Sequence, residues 1–134
     1  MRRHLILVCL LAALAFAVTS VAQTERSNLV RGILPAIAKA PAETVAWQNP
    51  YQGQRDAILA GEKLYRQHCA ECHGDDARGR GHSANLRSPS VQNAAPGELV
   101  WLLTNGNLRK GMPSWSGLPA QRRWQIVTYL KSLR

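Results

Sequence analysis

The sequence predicts an all-α domain of about three main helices that are joined by long glycine-rich loops. Three segments predict it, because in each the apolar residues recur at helical spacing between helix start and stop signals. These segments are residues 55–68, 96–106 and 119–133. The stretches between them have no regular apolar period and contain glycine, proline, aspartate and asparagine, so they are predicted to be loops at 74–93 and 107–118.

The first helix is predicted from Arg55 to His68 and is amphipathic, with Ile58, Leu64 and Tyr65 on its apolar face. Gly61 also lies on this face, although glycine in a helix interior costs about 1 kcal/mol relative to alanine. A close crossing with another helix would account for this glycine.

The second and third helices have clear start and stop signals. Pro96 and Glu98 suit a first helical turn, Gly106 suits a left-handed cap, and Pro119 begins the last helix. The predicted apolar faces comprise Leu99, Val100, Leu102 and Leu103 in the second helix, and Trp124, Val127, Tyr129, Leu130 and Leu133 in the third.

The end of the first helix carries the segment Cys69-Ala70-Glu71-Cys72-His73. A C-x-x-C-H sequence is typical of c-type haem attachment. Each thiol can add to one vinyl group of the porphyrin, and the histidine then becomes the proximal axial ligand of the iron. The sequence therefore predicts one covalent haem c held by Cys69, Cys72 and His73.

A structural disulfide, a redox dithiol and a zinc site are weaker readings of the cysteines. The chain has three cysteines and one of them, Cys9, lies in the apolar N-terminal segment. A zinc site would need two further ligands, for which His68 and His82 are the remaining strong candidates. A redox dithiol is expected at the end of a strand, and no strand pattern precedes Cys69.

Met112 is the candidate for the distal axial ligand. It is the only methionine after the start residue, and it stands in a loop thirty-nine residues after His73. Gly111 allows a close backbone approach, Pro113 stiffens the chain, and a thioether ligand raises the reduction potential. Two alternatives remain: Met112 fills a gap in the core, or His82 is the sixth ligand.

The N-terminal residues 1–22 are predicted to be a secretory signal peptide. They combine a basic start, an apolar run from Leu5 to Val18 and small residues before a cleavage point after Ala22. The apolar run is short for a membrane span, and an uncleaved anchor remains the alternative. The predicted location is the periplasm, with membrane contact only if the segment is uncleaved.

Residues 23–54 are predicted to be a leader or linker, and residues 55–134 the haem domain. The leader contains three prolines and is expected to be mostly extended and to lie over the domain or tether it, with one short helix possible between Leu29 and Lys39. Trp47 and Tyr51 are expected to attach its last part to the domain.

The chain is basic, with a formal net charge of +9. Loss of Arg2 and Arg3 with the signal would leave fifteen basic against eight acidic side chains. Such a balance favours an acidic protein surface or an anionic membrane as partner, while the lack of a recognition motif argues against nucleic acid. The candidates for guiding a partner, or for an ordinary solvated surface, are Lys63, Arg87, Arg109 and Lys110.

These motifs together resemble the class I c-type cytochromes over residues 55–134. The resemblance rests on Gly61-x-x-x-Tyr65, Cys69-x-x-Cys72-His73, Met112-Pro113 and Tyr129-Leu130-Lys131. It implies a small cytochrome c fold wrapped around one haem, axial ligation by His73 and Met112, and a crossing of the first and last helices at their glycine and aromatic residues.

The sequence departs from the family pattern after the haem motif. The family usually has a proline shortly before a leucine, and the carbonyl of that proline accepts the Nδ1–H of the proximal histidine. Here Ala84 stands in that place, with Leu86 after it. Its backbone carbonyl can still accept the bond, but its position is less constrained, so the orientation of His73 is the least constrained part of the resemblance. Trp115 resembles an aromatic residue that packs near a haem propionate, or is a partly exposed loop tryptophan.

The resemblance implies a periplasmic one-electron carrier with no catalytic residues. The leader and the loop at 112–115 are similar to those of small cytochromes that serve quinoprotein alcohol dehydrogenases. Such a dehydrogenase is the expected donor and a terminal oxidase the expected acceptor. The alternatives are a haem subunit docked on a larger dehydrogenase, and a haem enzyme or sensor whose open distal side uses His82.

Overall fold

The computed structural model describes residues 35–133, and these form an all-helical fold. Five α-helices follow in chain order, with three 3-10 turns between or before them. The helices are α1 (Arg55–His68), α2 (Ala70–His73), α3 (Pro89–Asn93), α4 (Pro96–Asn105) and α5 (Ala120–Ser132), and the turns are Ile37–Lys39, Ala42–Ala46 and Leu108–Lys110. Within this part of the chain no helix has the length and apolar character needed to cross a membrane.

The all-α fold with three main helices is confirmed, and one predicted loop is corrected. Helices α1, α4 and α5 correspond to the three predicted segments, with Pro119 as the residue before α5. The predicted loop 74–93 contains the short helix α3, which the sequence prediction missed. Pro89 starts this helix, and burial of Val91 and Gln92 stabilises it through contacts made far along the chain.

Helices α1 and α5 cross at Gly61, as the glycine predicted. A β-carbon built at Gly61 would lie 2.0 Å from the carbonyl oxygen of Gln125 and 2.9 Å from Cβ of Tyr129. One turn further along α1, the ring of Tyr65 packs 5.3 Å from the ring of Tyr129. The absence of a side chain at Gly61 therefore sets how closely the two helices approach.

The described part of the predicted leader lies over the domain and packs on α4, but it contains two 3-10 turns where an extended chain was predicted. Ile37 and Thr44, one in each of its two 3-10 turns, are fully buried. Gly97 makes room for this segment, since a β-carbon there would lie 2.1 Å from the carbonyl oxygen of Thr44 and 2.6 Å from Cβ of Trp47. Trp47 remains 43% exposed. The predicted signal peptide and the first part of the leader lie outside the described residues.

We expect Gly61→Ala to lower the free energy of unfolding of the haem-loaded protein by about 2–3 kcal/mol, because the helix backbones must move apart. Urea unfolding followed by circular dichroism measures this change. Gly117→Ala is the matched control, because a β-carbon at Gly117 meets nothing within 4 Å. A Gly61→Ala protein as stable as this control would contradict the close crossing.

Candidate haem site

The two cysteines and the histidine lie on one short helical turn that follows a kink. The chain leaves α1 at Cys69, whose φ and ψ are −122° and −34°, and continues into α2. The backbone N–H of Cys69 donates to Tyr65 at 2.8 Å, and that of His73 donates to Cys69 at 2.9 Å. Cys72 and His73 come three and four residues after Cys69, so both are neighbours of Cys69 on this turn.

The thiol of Cys69 is half-buried, whereas Cys72 is exposed, and neither forms a disulfide. Burial, with a smaller contribution from Cys72, raises the pKa of the Cys69 thiol to about 11. A raised thiol pKa disfavours the reactive thiolate that a redox dithiol needs. Residues 35–133 also contain no group of three or more metal-binding side chains.

The imidazole of His73 is oriented by a backbone carbonyl. Its Nδ1 lies 2.9 Å from the carbonyl oxygen of Ala84. A carbonyl can only accept a hydrogen bond, so Nδ1 carries a proton, and in the neutral imidazole Nε2 then keeps its lone pair. Such a histidine is ready to bind iron through Nε2. The alanine that departs from the family pattern thus provides the same acceptor as the usual proline.

Tyr65 connects α1 to the chain just after His73. Its buried hydroxyl donates to the carbonyl oxygen of Gly74 at 2.6 Å. Gly74 has a φ of 79°, a left-handed conformation that glycine tolerates, and this lets the chain turn away from α2. Sequence reasoning placed Tyr65 in the helix crossing and missed this second contact.

Gln92 and Lys131 hold the C-terminal end of the segment that was predicted as the loop 74–93. The side-chain amide of Gln92 donates to the carbonyl oxygens of Leu86, at 2.8 Å, and Leu130, at 3.0 Å. Lys131 donates to the carbonyl oxygens of Gln92 and of Ala94. The lysine of the Tyr129-Leu130-Lys131 motif therefore stabilises this end of the loop against α5. No sequence signal pointed to Gln92, because a polar residue in a loop is normally exposed.

The backbone of Met112 is fixed from two sides. Asn107 and Met112 form an isolated antiparallel bridge, with N–H···O distances of 2.8 and 3.2 Å, around the turn Leu108–Lys110. Gly106 lies against Pro113, the residue after Met112. A β-carbon at Gly106 would be 2.6 Å from the carbonyl carbon of Pro113. The side chain of Met112 is half-buried against the core.

Trp115 joins this loop to the end of α1. Its backbone N–H donates to Leu103 at 2.8 Å, and its ring lies 5.1 Å from the ring of His68. His68 directly precedes Cys69, so the contact brings the loop of Met112 next to the haem motif. Trp115 is half-buried, whereas His82, the rival ligand, is exposed in the loop after α2.

The residues present fit a haem. The neutral imidazole of His73 offers a nitrogen lone pair, two free thiols lie on the same short turn, and several apolar side chains are only partly covered by the protein. These half-buried side chains are Leu86, Leu102, Met112, Trp115, Leu118 and Trp124. A separate open pocket of about 380 Å³, lined by Asn49, Ile58, Thr128 and Lys131 among others, contains none of the predicted haem residues.

Comparison with known proteins gives two matches. The family model of the cytochrome c oxidase, cbb3-type, subunit III matches residues 56–130. Cytochrome c550 of Pseudomonas aeruginosa is 30% identical over 117 residues, which cover 82% of this chain and 78% of that protein. No solved structure matches.

We expect Tyr65→Phe to lower the free energy of unfolding by about 1 kcal/mol at pH 7, because the bond to Gly74 is lost. Burial raises the pKa of the Tyr65 hydroxyl well above its ordinary value. The folded protein therefore keeps a proton that the unfolded chain releases above about pH 10, and wild-type stability falls there. The phenylalanine variant has no hydroxyl there and does not lose this stability. The difference in free energy of unfolding between it and the wild type should therefore narrow as the pH rises above 10.

Urea unfolding of the haem-loaded protein at pH 7 and pH 10.5 measures this narrowing. Tyr51→Phe is the control, because the hydroxyl of Tyr51 makes none of the hydrogen bonds found among residues 35–133. A difference that widened above pH 10 would contradict the assignment.

Proposed function

Since this chain belongs to the c-type cytochromes, we propose that it is a periplasmic one-electron carrier whose haem iron is bound by His73 and Met112. Members of this family are electron-transfer proteins, contain covalent haem c and exchange electrons with other redox proteins. The haem, when bound, supplies a one-electron couple between ferrous and ferric iron. The single observation that carries the proposal is the bond from His73 Nδ1 to Ala84, which leaves Nε2 free for iron.

Cys69 and Cys72 are the proposed attachment points of the haem. Their positions four residues and one residue before His73 on one helical turn support this role, since both thiols lie close to that histidine along the chain. The exposure of Cys72 and the half-exposure of Cys69 leave both sulfurs accessible to the vinyl groups. Leu86 and Trp115 are the proposed apolar neighbours of the ring.

Met112 is the proposed distal ligand. The bridge to Asn107 and the contact of Gly106 with Pro113 hold its backbone, so its sulfur needs little reordering to bind iron. With His73 and Met112 both bound, the iron has no open position for a substrate. This supports electron transfer rather than chemistry on a small molecule, the alternative in which His82 would act.

The surface beside Met112 supports an acidic redox partner. Leu108 is 77% exposed, and Arg109 and Lys110 follow it on the same 3-10 turn with exposed side chains. An apolar residue with two cations suits a weak, electrostatically guided contact. Arg87, by contrast, donates to the carbonyl oxygens of Asp76 and Leu133, so its charge supports the fold.

The identity of the partners is a further part of the proposal. A quinoprotein dehydrogenase as donor and a terminal oxidase as acceptor rest on the likeness of the leader and of the Met112 loop. The alternative is a permanently docked haem subunit. The description of the matched family as an oxidase subunit favours that alternative.

We expect Met112→Ala to abolish the weak far-red absorption band that methionine sulfur gives to ferric haem c. The reduced variant should bind carbon monoxide rapidly, because one axial position has opened, and its reduction potential should fall. His82→Ala is the matched control and should keep the band and the potential. If Met112→Ala kept the wild-type spectrum, or if the control lost the band, the methionine would not be the ligand.

We expect the protein to be recovered from the periplasm with the intact mass of residues 23–134 plus one haem, because export and cleavage after Ala22 precede haem attachment. Mass spectrometry of the periplasmic fraction measures this. Residues 1–22 retained on the protein in the membrane fraction would contradict cleavage.

Size-exclusion chromatography separates the carrier from the docked subunit. Elution of the protein as a single chain supports a diffusing carrier, whereas stoichiometric co-purification with a dehydrogenase or oxidase supports the docked subunit.

A further inference from the structure

The carbonyl of Ala84 orients His73, but the alanine residue does not itself restrict the backbone that carries this carbonyl. A proline there would lock its own φ, whereas alanine leaves that angle free. Ala84 and Asn85 are also both exposed, so burial does not hold them. The structure must therefore supply another constraint on this carbonyl, and the inference below rests on the proposed role of His73 as an iron ligand.

Gly79 lies directly against the peptide unit that carries this carbonyl. A β-carbon at Gly79 would be 2.4 Å from the carbonyl oxygen of Ser83, 3.0 Å from the carbonyl carbon of Ala84 and 3.1 Å from its oxygen. Gly79 also has a φ of 88°, which side chains with a β-carbon rarely adopt. The contact is between backbone atoms, so neither side can yield by rotating a side chain.

The position of Gly79 is in turn set by the haem motif. Its backbone N–H donates to the carbonyl oxygen of His73 at 2.8 Å, and that of Arg80 donates to Cys72 at 3.2 Å. These contacts therefore lead from His73 back to His73. The main chain of His73 holds Gly79, Gly79 supports the Ala84 carbonyl, and this carbonyl accepts from the ring of His73.

The other side of Ala84 is anchored separately. The backbone N–H of Leu86 donates to Ala77 at 2.8 Å, and Ala77 is fully buried with a φ of 61°. The carbonyl of Ala84 therefore lies between a close contact at Gly79 and an anchored segment at Leu86. Movement of either would change the bond to His73.

We propose that Gly79 is a positioning residue for the proximal ligand, taking the place of a proline ring by closing the loop onto the Ala84 carbonyl. Any side chain at Gly79 would push this carbonyl away from Nδ1 and weaken the bond. A histidine that donates a weaker Nδ1 bond gives less electron density to the iron, so the ferric state is less stabilised.

The test compares Gly79→Ala with Gly81→Ala in the haem-loaded protein. Gly81 is in the same loop and also has a positive φ, of 55°, but a β-carbon there meets nothing within 4 Å. Proton NMR of the ferrous protein measures the exchange of the His73 Nδ1 proton with water. We expect this exchange to be about tenfold faster in Gly79→Ala, with a raised reduction potential, and unchanged in Gly81→Ala.

Equal effects of the two substitutions would overturn the proposal, because strain from a positive φ would then explain both. Absence of an effect in Gly79→Ala would also overturn it. If the wild-type haem lacked histidine ligation in its spectrum, the proposed function would fail instead, so the two failures are distinguishable.

Ala84→Pro is a second test that does not depend on Gly79→Ala folding. The N–H of Ala84 donates in none of the hydrogen bonds found among residues 35–133, so proline removes no bond. If Gly79 already holds the carbonyl, proton exchange in Ala84→Pro should stay within about twofold of the wild type. Slowing by about tenfold or more would mean that the carbonyl was not held, and would overturn the proposal.

Discussion

The backbone contact between α1 and α5 at Gly61 is the constraint on which the rest of this structure depends. Because a β-carbon at Gly61 would lie 2.0 Å from the Gln125 carbonyl, the two helices approach as closely as their main chains allow. That approach packs Tyr65 on Tyr129 and fixes where α1 ends. A domain of this size buries little apolar surface, so its folded structure depends strongly on this one close helix crossing. A covalent haem adds apolar surface to the core.

The proposed haem site extends from this crossing mainly through main-chain atoms. Tyr65, buried by the crossing, donates to Gly74 and turns the chain away from His73. The following loop returns with its Ala84 carbonyl on the His73 ring, and Gln92 ties the end of the loop to α5. Carbonyl groups are acceptors at any pH, so this arrangement fixes the proton on Nδ1 without a second titratable side chain. The orientation of the histidine is thereby linked to the packing of the whole domain.

The distribution of charge is consistent with exchange of electrons with other proteins. Cations that are bonded to the chain's own carbonyls, such as Arg87, stabilise the fold and cannot readily turn towards a partner. Arg109 and Lys110 differ, because their turn is closed by the bridge to Met112 and holds them at the surface. The part of the chain that presents the proposed distal ligand thus also presents two cations and an exposed leucine, which links the site to its surface.

The sequence by itself determined the all-α fold, the three main helices and the close crossing at Gly61, because these depend on apolar periodicity and on residue types with strong local preferences. It also predicted the haem motif and the axial candidates, because thiol, imidazole and thioether chemistry belongs to single residues. Only the tertiary structure decided that α3 forms, that the described part of the leader packs on α4, and that the carbonyl of Ala84, which the resemblance had offered as acceptor, lies in position to accept from His73. The physical reason is that these features depend on backbone atoms meeting across long loops, and every residue has the same carbonyl, so residue type carries no signal for them.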